Sequence, residues 1–306
     1  MKGYGGLWAG ARPGSAVSQP EWHLPTVTVI VSTSNSAFYL ERVLIGLSCQ
    51  DRLPDAVIVA DDGSSDETTA AIAAASARKR FPISHVWQEQ DGFRKCRILN
   101  RAIDLATGDY LIFMDGDCVP RRDFIVAHER RAARGRFLSG GVFRLPRALS
   151  DATATDDIAE GRLFERHWLQ RNGVRVSPAS KIGIGPRTAY LLSKLTPTRA
   201  TFNGHNSSAW REDVVRVNGF DERMVYGGLD REFGERLENA GVRGLGVRYE
   251  AVCVHLEHDR AYVDTAGWNA NHAIRRETRR QKSTWTAFGI VRDVADAAAG
   301  VPGDRP

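Results

Sequence analysis

The sequence predicts an α/β fold with a mostly parallel central sheet flanked by helices. Three observations predict it. Short apolar, β-branched runs recur at residues 26–32, 56–60 and 110–114. Stretches with helical spacing of apolar residues separate them. Acidic clusters, Asp61-Asp62 and Asp115-Gly116-Asp117, sit where two of these runs end. Alternating strand and helix signals of this kind favour parallel strands joined by crossover helices. In such sheets ligands gather beyond the carboxyl ends of the strands, so the clusters also mark a candidate site.

The elements follow in order. Residues 1 to about 24 read as a loose tail rich in Gly, Pro and Ser, with Trp8 and Trp22 available to tack it down. The run 26–32 is a buried strand, and Ser36 is placed to cap a helix carrying Leu40, Val43, Leu44 and Leu47. A strand over 56–60, a polar turn over 61–66 and an Ala-rich helix over 67–79 come next. A short strand over 84–87 precedes a helix over 94–106, with Ile98, Leu99, Ala102, Ile103 and Leu105 on its apolar side. The second half is less regular. The spacing predicts a helix over 158–169, a loop over 172–186, a helix over 230–239 ended by Gly241, an extended run over 247–256 and a basic helix over 268–282. The halves divide at about residue 140 (25–140 and 141–262), with 263–306 as a helical extension.

Composition bounds the function. The 306 residues are 42% hydrophobic and 26% charged, an ordinary globular mix that excludes collagen-like and disordered chains. No apolar run reaches the roughly 18 residues a membrane span needs. The first residues lack the pattern of a secretory leader. With Cys49, Cys96, Cys118 and Cys253 far apart, reduced thiols and a cytoplasmic location are expected. The formal charge of +5 suits an anionic partner without choosing one. No aromatic and basic interleaving of the RNA-binding kind is apparent, so no nucleic-acid partner is expected. No GxGxxG follows the first strand, which argues against a dinucleotide-dependent dehydrogenase.

Asp115-Gly116-Asp117 is the sharpest motif. Two carboxylates two residues apart at a strand end can hold a hard divalent cation, and Gly lets the backbone approach a ligand. A solvated turn is the other reading of such a pair, and the strand before it favours the site. Asp61 to Asp66 either caps a helix or accepts hydrogen bonds from a nucleoside. Residues 27–35, 61–66, 92–100 and 115–117, taken in order, resemble the family 2 glycosyltransferases of the GT-A fold. Residues 203–210, 217–221 and 227–237 resemble the C-terminal half of galactosyltransferase-type and chondroitin-polymerase-type enzymes.

The resemblance implies a nucleotide-sugar donor, most often a UDP-sugar, a hydroxyl acceptor, and Mn²⁺ or Mg²⁺. It assigns Thr33, Asp61, Asp62, Arg94, Lys95, Asn100 and Asp115 to the donor, and Asp117, Asp115 and His258 to the metal. Imidazole beside carboxylate suits Mn²⁺ better than Mg²⁺. Asp230 matches the base that takes the acceptor proton, and Asn203, His205, Asn206, Trp210, Gly228 and Glu232 fall to the acceptor or sugar. Leu229 departs from the family pattern, which has Glu there. His255 and His258 would point to opposite faces of a strand unless a turn intervenes. The basic run 275–282 offers peripheral contact with anionic lipid at the inner face of a membrane, or else a solvated helix face. The competing functions are a nucleotidyltransferase, which lacks its Gly-rich, Lys-containing loop here, and a non-catalytic nucleotide- or sugar-binding protein of the same fold.

Overall fold

The computed structural model describes residues 24–177, 180–259 and 265–291. The expected tail, with Trp8 and Trp22, and the end of the helical extension lie outside the described residues. The first half alternates as expected: β1 (Val27–Thr33), α1 (Ala37–Ser48), β2 (Ala56–Asp62), α2 (Asp66–Ala77), β3 (Ile83–Gln88), α3 (Lys95–Leu105) and β4 (Tyr110–Asp115). These apolar runs become strands because both faces of the sheet are covered. Val27, Val29 and Val31 join one core with α1, while Ile30 joins the other with α3. Leu105 departs from the expected apolar face and is half exposed at the helix end.

Strands β1, β2, β3 and β4 are mutually parallel in the order β3-β2-β1-β4. The chain builds outward from β1 to β3, then returns to the other side of β1 as β4. That reversal opens a crevice beyond the carboxyl ends of β1 and β4. Asp62 and Asp115 therefore end strands on either side of β1 rather than on adjacent strands. Four rings, Phe113, Phe202, Phe220 and Phe233, interlock behind β4 with centroids 4.4–6.5 Å apart. They tie the first half to the second, and such ring pairs add stability beyond area burial.

The second half adds three antiparallel pairings, two in the main sheet and one in a smaller sheet. After β5 (Cys118–Pro120), α4 (Phe124–Arg131), β6 (Arg136–Ser139) and β7 (Gly141–Leu145) come the short helices α5 (Arg147–Ala152), α6 (Thr155–Ala159) and α7 (Arg166–Arg171). The single helix expected over 158–169 is broken at Gly161, whose φ of +76° leaves the helical region. Within the expected 172–186 loop region the chain leads to a helix the sequence reading lacked, α8 (Pro186–Leu195), with Pro at its first position. β8 (Ser207–Trp210), α9 (Arg211–Arg216), α10 (Leu229–Asn239), β9 (Arg243–Gly246), β10 (Val252–Leu256) and α11 (Thr265–Gln281) complete the order. The extended run expected over 247–256 is shorter, because residues 247–251 form a turn before β10.

β8 pairs antiparallel with β4 and β6, and β6 pairs parallel with β9, giving the sheet β3-β2-β1-β4-β8-β6-β9. A smaller sheet, β5-β10-β7, stands beside it. The basic run on α11 is mostly spent within the molecule. Arg275 and Arg279 share Glu235, and Arg280 holds Glu277. No helix among the described residues is long and apolar enough to cross a membrane.

Candidate functional site

A cleft of 1060 Å³ opens at the β1–β4 crevice. Its floor is the end of β4. Asp115 stands in register with Ser32 of β1, and the Ser32 hydroxyl donates to it at 3.0 Å. A Cβ on Gly116 would lie 3.0 Å from the Ser32 carbonyl, so glycine is what allows the Asp115–Asp117 turn to lie against β1. Thr33 lines the same wall, and its buried hydroxyl has no hydrogen-bond partner among the described residues.

The two carboxylates of this turn have different neighbours. Lys95, first residue of α3, donates from Nζ to Asp115 Oδ1 at 2.5 Å. Burial weakens the Lys95 charge, but the carboxylates of Asp115, Asp230 and Asp117 outweigh it and hold its pKa above the ordinary lysine value. Asp117 instead meets two imidazoles. β10 pairs antiparallel with β5, placing His255 opposite Cys118, and Leu256 N–H donates to the Asp117 carbonyl at 2.9 Å. His255 Nε2 then lies 3.4 Å from Asp117 Oδ2. The chain turns after Leu256 and returns His258, whose Nε2 lies 2.8 Å from the same oxygen. The two rings stack at 5.8 Å and 14°.

This trio carries one ligand atom each, all within 4.8 Å of one another. Burial raises the Asp117 pKa, yet hydrogen bonds from His255 and His258 overcome it and hold the carboxyl well below the usual range. His258 Nδ1 donates to the Asp259 carbonyl at 2.8 Å, so its contact with Asp117 through Nε2 is a hydrogen bond only when the ring is protonated; without that proton Nε2 and Asp117 face each other as acceptors. Two facing acceptors need a cation between them, either a proton or a metal ion. The donor set of one carboxylate and two imidazoles fits Mn²⁺ or a similar divalent ion. Asp115, assigned to the metal from the sequence, is held by Lys95 and stands outside this cluster.

The opposite wall is the start of α10. Gly227 and Gly228 take φ values of +100° and +82°, open to glycine at low cost, and turn the chain so that Asp230 falls in the first helical turn. Asn271 of α11 fixes this loop. Its amide donates to the carbonyls of Val225, Tyr226 and Gly227, and its carbonyl accepts from Val225 N–H. Asp230 lines the cleft, and its Oδ1 is buried without a hydrogen-bond partner. Burial raises its pKa above the usual carboxylate value and the Asp115 charge adds to this, while Lys95 and the Gly204 backbone pull it down. A Cβ on Gly204 would come 2.7 Å from Asp230 Oδ1. His205 lines the cleft beside these groups, and burial lowers its pKa, which favours the neutral ring.

Residues 28–158 match glycosyl transferase family 2. The fold is GT-A. The mannosyltransferase PcManGT of Pyrobaculum calidifontis, solved with GDP-Man and Mn²⁺, superposes with a TM-score of 0.54 at 23% identity, over 85% of this chain and 63% of that one. Residues 1–349 of S. aureus TarS, solved with UDP-GlcNAc, give 0.55 at 17% identity, over 84% and 69%. At these identities the likeness is one of fold. The validoxylamine A glucosyltransferase of Streptomyces hygroscopicus subsp. limoneus is 26% identical over 270 residues, covering 83% of this chain. The chain spans 57% of that relative's length.

Placed on this GT-A frame, the residues expected in the site divide. Thr33, Asp62, Lys95, Asp115, Asp117, His205, Gly228, Asp230 and His258 line one cleft. The others do not. Asp61 is turned to the opposite side of β2 from Asp62 and fully buried, where Ser64 and His85 hold it. Arg94 donates its backbone N–H to Asp62 and turns its guanidinium to Asp91 and the Glu89 carbonyl. Asn100 braces Phe220 through both its backbone N–H and carbonyl. Asn203 caps the turn to Asn206, and Asn206 satisfies the carbonyls of Gly141 and Ala251 from the core. Trp210 packs edge-on against Tyr110 beneath Arg134. Glu232 is buried in a forked ion pair with Arg236 and accepts from Thr278 on α11. The sequence assignment lacked His255, which strand parity turned away and the β5–β10 register brings in. It also lacked Tyr39, whose ring lies 5.1 Å from His258.

Proposed function

We propose that the chain is a divalent-cation-dependent, inverting glycosyltransferase that moves a sugar from a UDP-sugar to a hydroxyl acceptor. The observation that carries this reading is one cleft with the Asp117, His255 and His258 donors on one side and the partly desolvated Asp230 on the other. The fold likeness and the family match support the reaction class. The TarS complex with UDP-GlcNAc favours a uridine donor, and the PcManGT complex with GDP-Man makes guanosine donors the comparison to run.

Asp117, His255 and His258 would hold the ion. When bound, a divalent ion neutralises the donor diphosphate and eases its departure. Asp62 and Thr33 line the donor side, and Lys95 remains a fixed cation between Asp115 and Asp230. Asp230 takes the proton from the acceptor hydroxyl as its oxygen bonds to the anomeric carbon. The bond from that carbon to the diphosphate oxygen breaks, and the nucleoside diphosphate leaves with the electron pair. Attack opposite the leaving group inverts the anomeric centre. The raised pKa of Asp230 makes it a stronger base than an exposed carboxylate.

On this reading residues 25–140 bind the donor. Residues 141–262 form the acceptor half, like that of galactosyltransferase-type and chondroitin-polymerase-type enzymes. Leu229, where the resemblance expects Glu, is almost fully buried in the second core, so Asp230 is the acidic group this loop offers the cleft. The test is nucleoside diphosphate release from a panel of UDP- and GDP-sugars, with Mn²⁺ or EDTA. Mn²⁺-dependent release from one donor supports the proposal and names the sugar. No release from any donor, together with no rise in melting temperature on adding UDP or GDP, overturns the proposal and turns the reading to a different nucleotide or to a non-catalytic protein of the same fold.

A further inference from the structure

A different concavity, 670 Å³, lies at the β9 edge of the main sheet. β6 runs parallel to β4, so Arg136 at the start of β6 stands at the end of the sheet remote from the cleft. Arg136 and Arg243 are direct partners in the β6–β9 register, and both side chains leave the same face. Both are exposed, and neither forms an ion pair among the described residues. Like charges opposed across two strands repel, so the pair is a cost to the fold that an anion would relieve. Arg131, Lys194 and Arg199 add to the lining. Its one carboxylate, Glu238, is taken by Arg199. A bond from Lys194, with the field of Arg131, lowers the pKa of the Tyr190 phenol and so reports positive potential there.

Beside this concavity α8 shows an apolar face to solvent. Ala189 is its one buried residue, while Leu191 and Leu195, one turn apart, are 55% and 76% exposed. Arg187 and Lys194 flank them, also exposed. A soluble phosphate ester would account for the cations and leave the leucines unexplained. A lipid surface accounts for both.

We propose that this face docks on an anionic phospholipid surface, with a headgroup phosphate in the basic concavity and Leu191 and Leu195 in the acyl boundary. Arginine guanidinium groups fork onto phosphate oxygens, and apolar side chains beside a basic patch give the second anchoring contribution that stable peripheral binding needs. The surface is separate from α11, whose cations are largely paired with its own and α10's carboxylates. The orientation leaves the cleft at the other end of the sheet from the membrane. The proposal stands independently of the sugar-transfer reading.

Co-sedimentation of the full chain with phosphatidylcholine vesicles, with and without phosphatidylglycerol, tests it. Wild type is expected to bind only the anionic vesicles, less as salt rises. R136E/R243E is expected to weaken binding about tenfold or more, R136Q/R243Q less, and L191S/L195S severalfold at unchanged melting temperature. R276E/K282E on α11 is expected to bind as wild type. Absence of binding to anionic vesicles overturns the proposal. So does wild-type binding by R136E/R243E, or loss confined to R276E/K282E. A rise in melting temperature with glycerol phosphate, without vesicle binding, also overturns it and assigns the concavity to a soluble anion.

Discussion

Asp115 and Asp117 are two residues apart and meet different chemistry. Asp115 is neutralised from within, by Lys95 at 2.5 Å on the preceding helix of the same half. Asp117 is met by two imidazoles that arrive from 138 and 141 residues later, through a three-stranded sheet. The first charge is balanced by a lysine ammonium, the second by imidazoles, whose charge depends on protonation. One motif thus divides into a carboxylate paired with a lysine and one facing two imidazoles, the side on which we propose the cation binds, and the division is made by topology rather than by the motif.

The strongest way to break this comparison is to remove the carboxylate that faces the imidazoles. Asp117→Asn should lower kcat/KM on the order of 10³-fold and abolish the response to Mn²⁺, since metal stabilisation of transition-state charge is worth several kcal/mol. If metal dependence persists in Asp117→Asn, the division between the two aspartates is wrong. Asp230→Asn should cost roughly 10²–10⁴-fold in kcat with little change in donor binding, read by steady-state kinetics and UDP titration. Gly204→Ala sharpens the positional part of the argument. The added methyl lies 2.7 Å from Asp230 Oδ1, and displacing a base by about 1 Å can cost on the order of 10²-fold. Wild-type turnover in that variant would show that Asp230 need not sit where it does.

The lysine-paired side gives a smaller, pH-dependent effect. Burial raises the Asp230 pKa, so the acidic limb of kcat/KM should lie at higher pH than an exposed carboxylate would give. The Lys95 cation favours ionised Asp230, and losing it raises the base pKa further. Lys95→Met should therefore move the acidic limb to higher pH, and lower stability by roughly 1–3 kcal/mol by leaving Asp115 without its cationic partner, with the Ser32 hydroxyl alone among the described residues donating to it. A limb that stays in place would exclude electrostatic contact between Lys95 and the base.

Legibility in the sequence followed the same line. Strands β1, β2 and β4 were readable because each is a local apolar run buried on both faces, and α1 and α3 because each sets one apolar face against that sheet. β5 is three residues long, and its pairing with β10 is a long-range event with no local pattern. That pairing is what admits His255. The helix expected over 158–169 failed at one left-handed glycine. Polar residues misled for one physical reason. Asn100, Asn206 and Glu232 sit in or beside site-like segments, yet buried backbone and side-chain groups need partners as much as a ligand does. Nothing in a single sequence separates those two demands. Glu232 and Arg236, four apart on α10, carried a signal that was available: that spacing favours an ion pair on a helix.

The pairing of β8 with β4 bears on where the chain could be divided. The family match ends at residue 158, yet β4 finds its second neighbour only at residues 207–210. A fragment cut at that boundary would leave the central apolar strand as an open edge, with Leu111, Ile112 and Phe113 unpaired along one side. Such an edge recruits other strands and precipitates. A fragment ending at residue 158 is therefore expected to aggregate, and the residues beyond it cover a strand edge as well as supply side chains to the cleft.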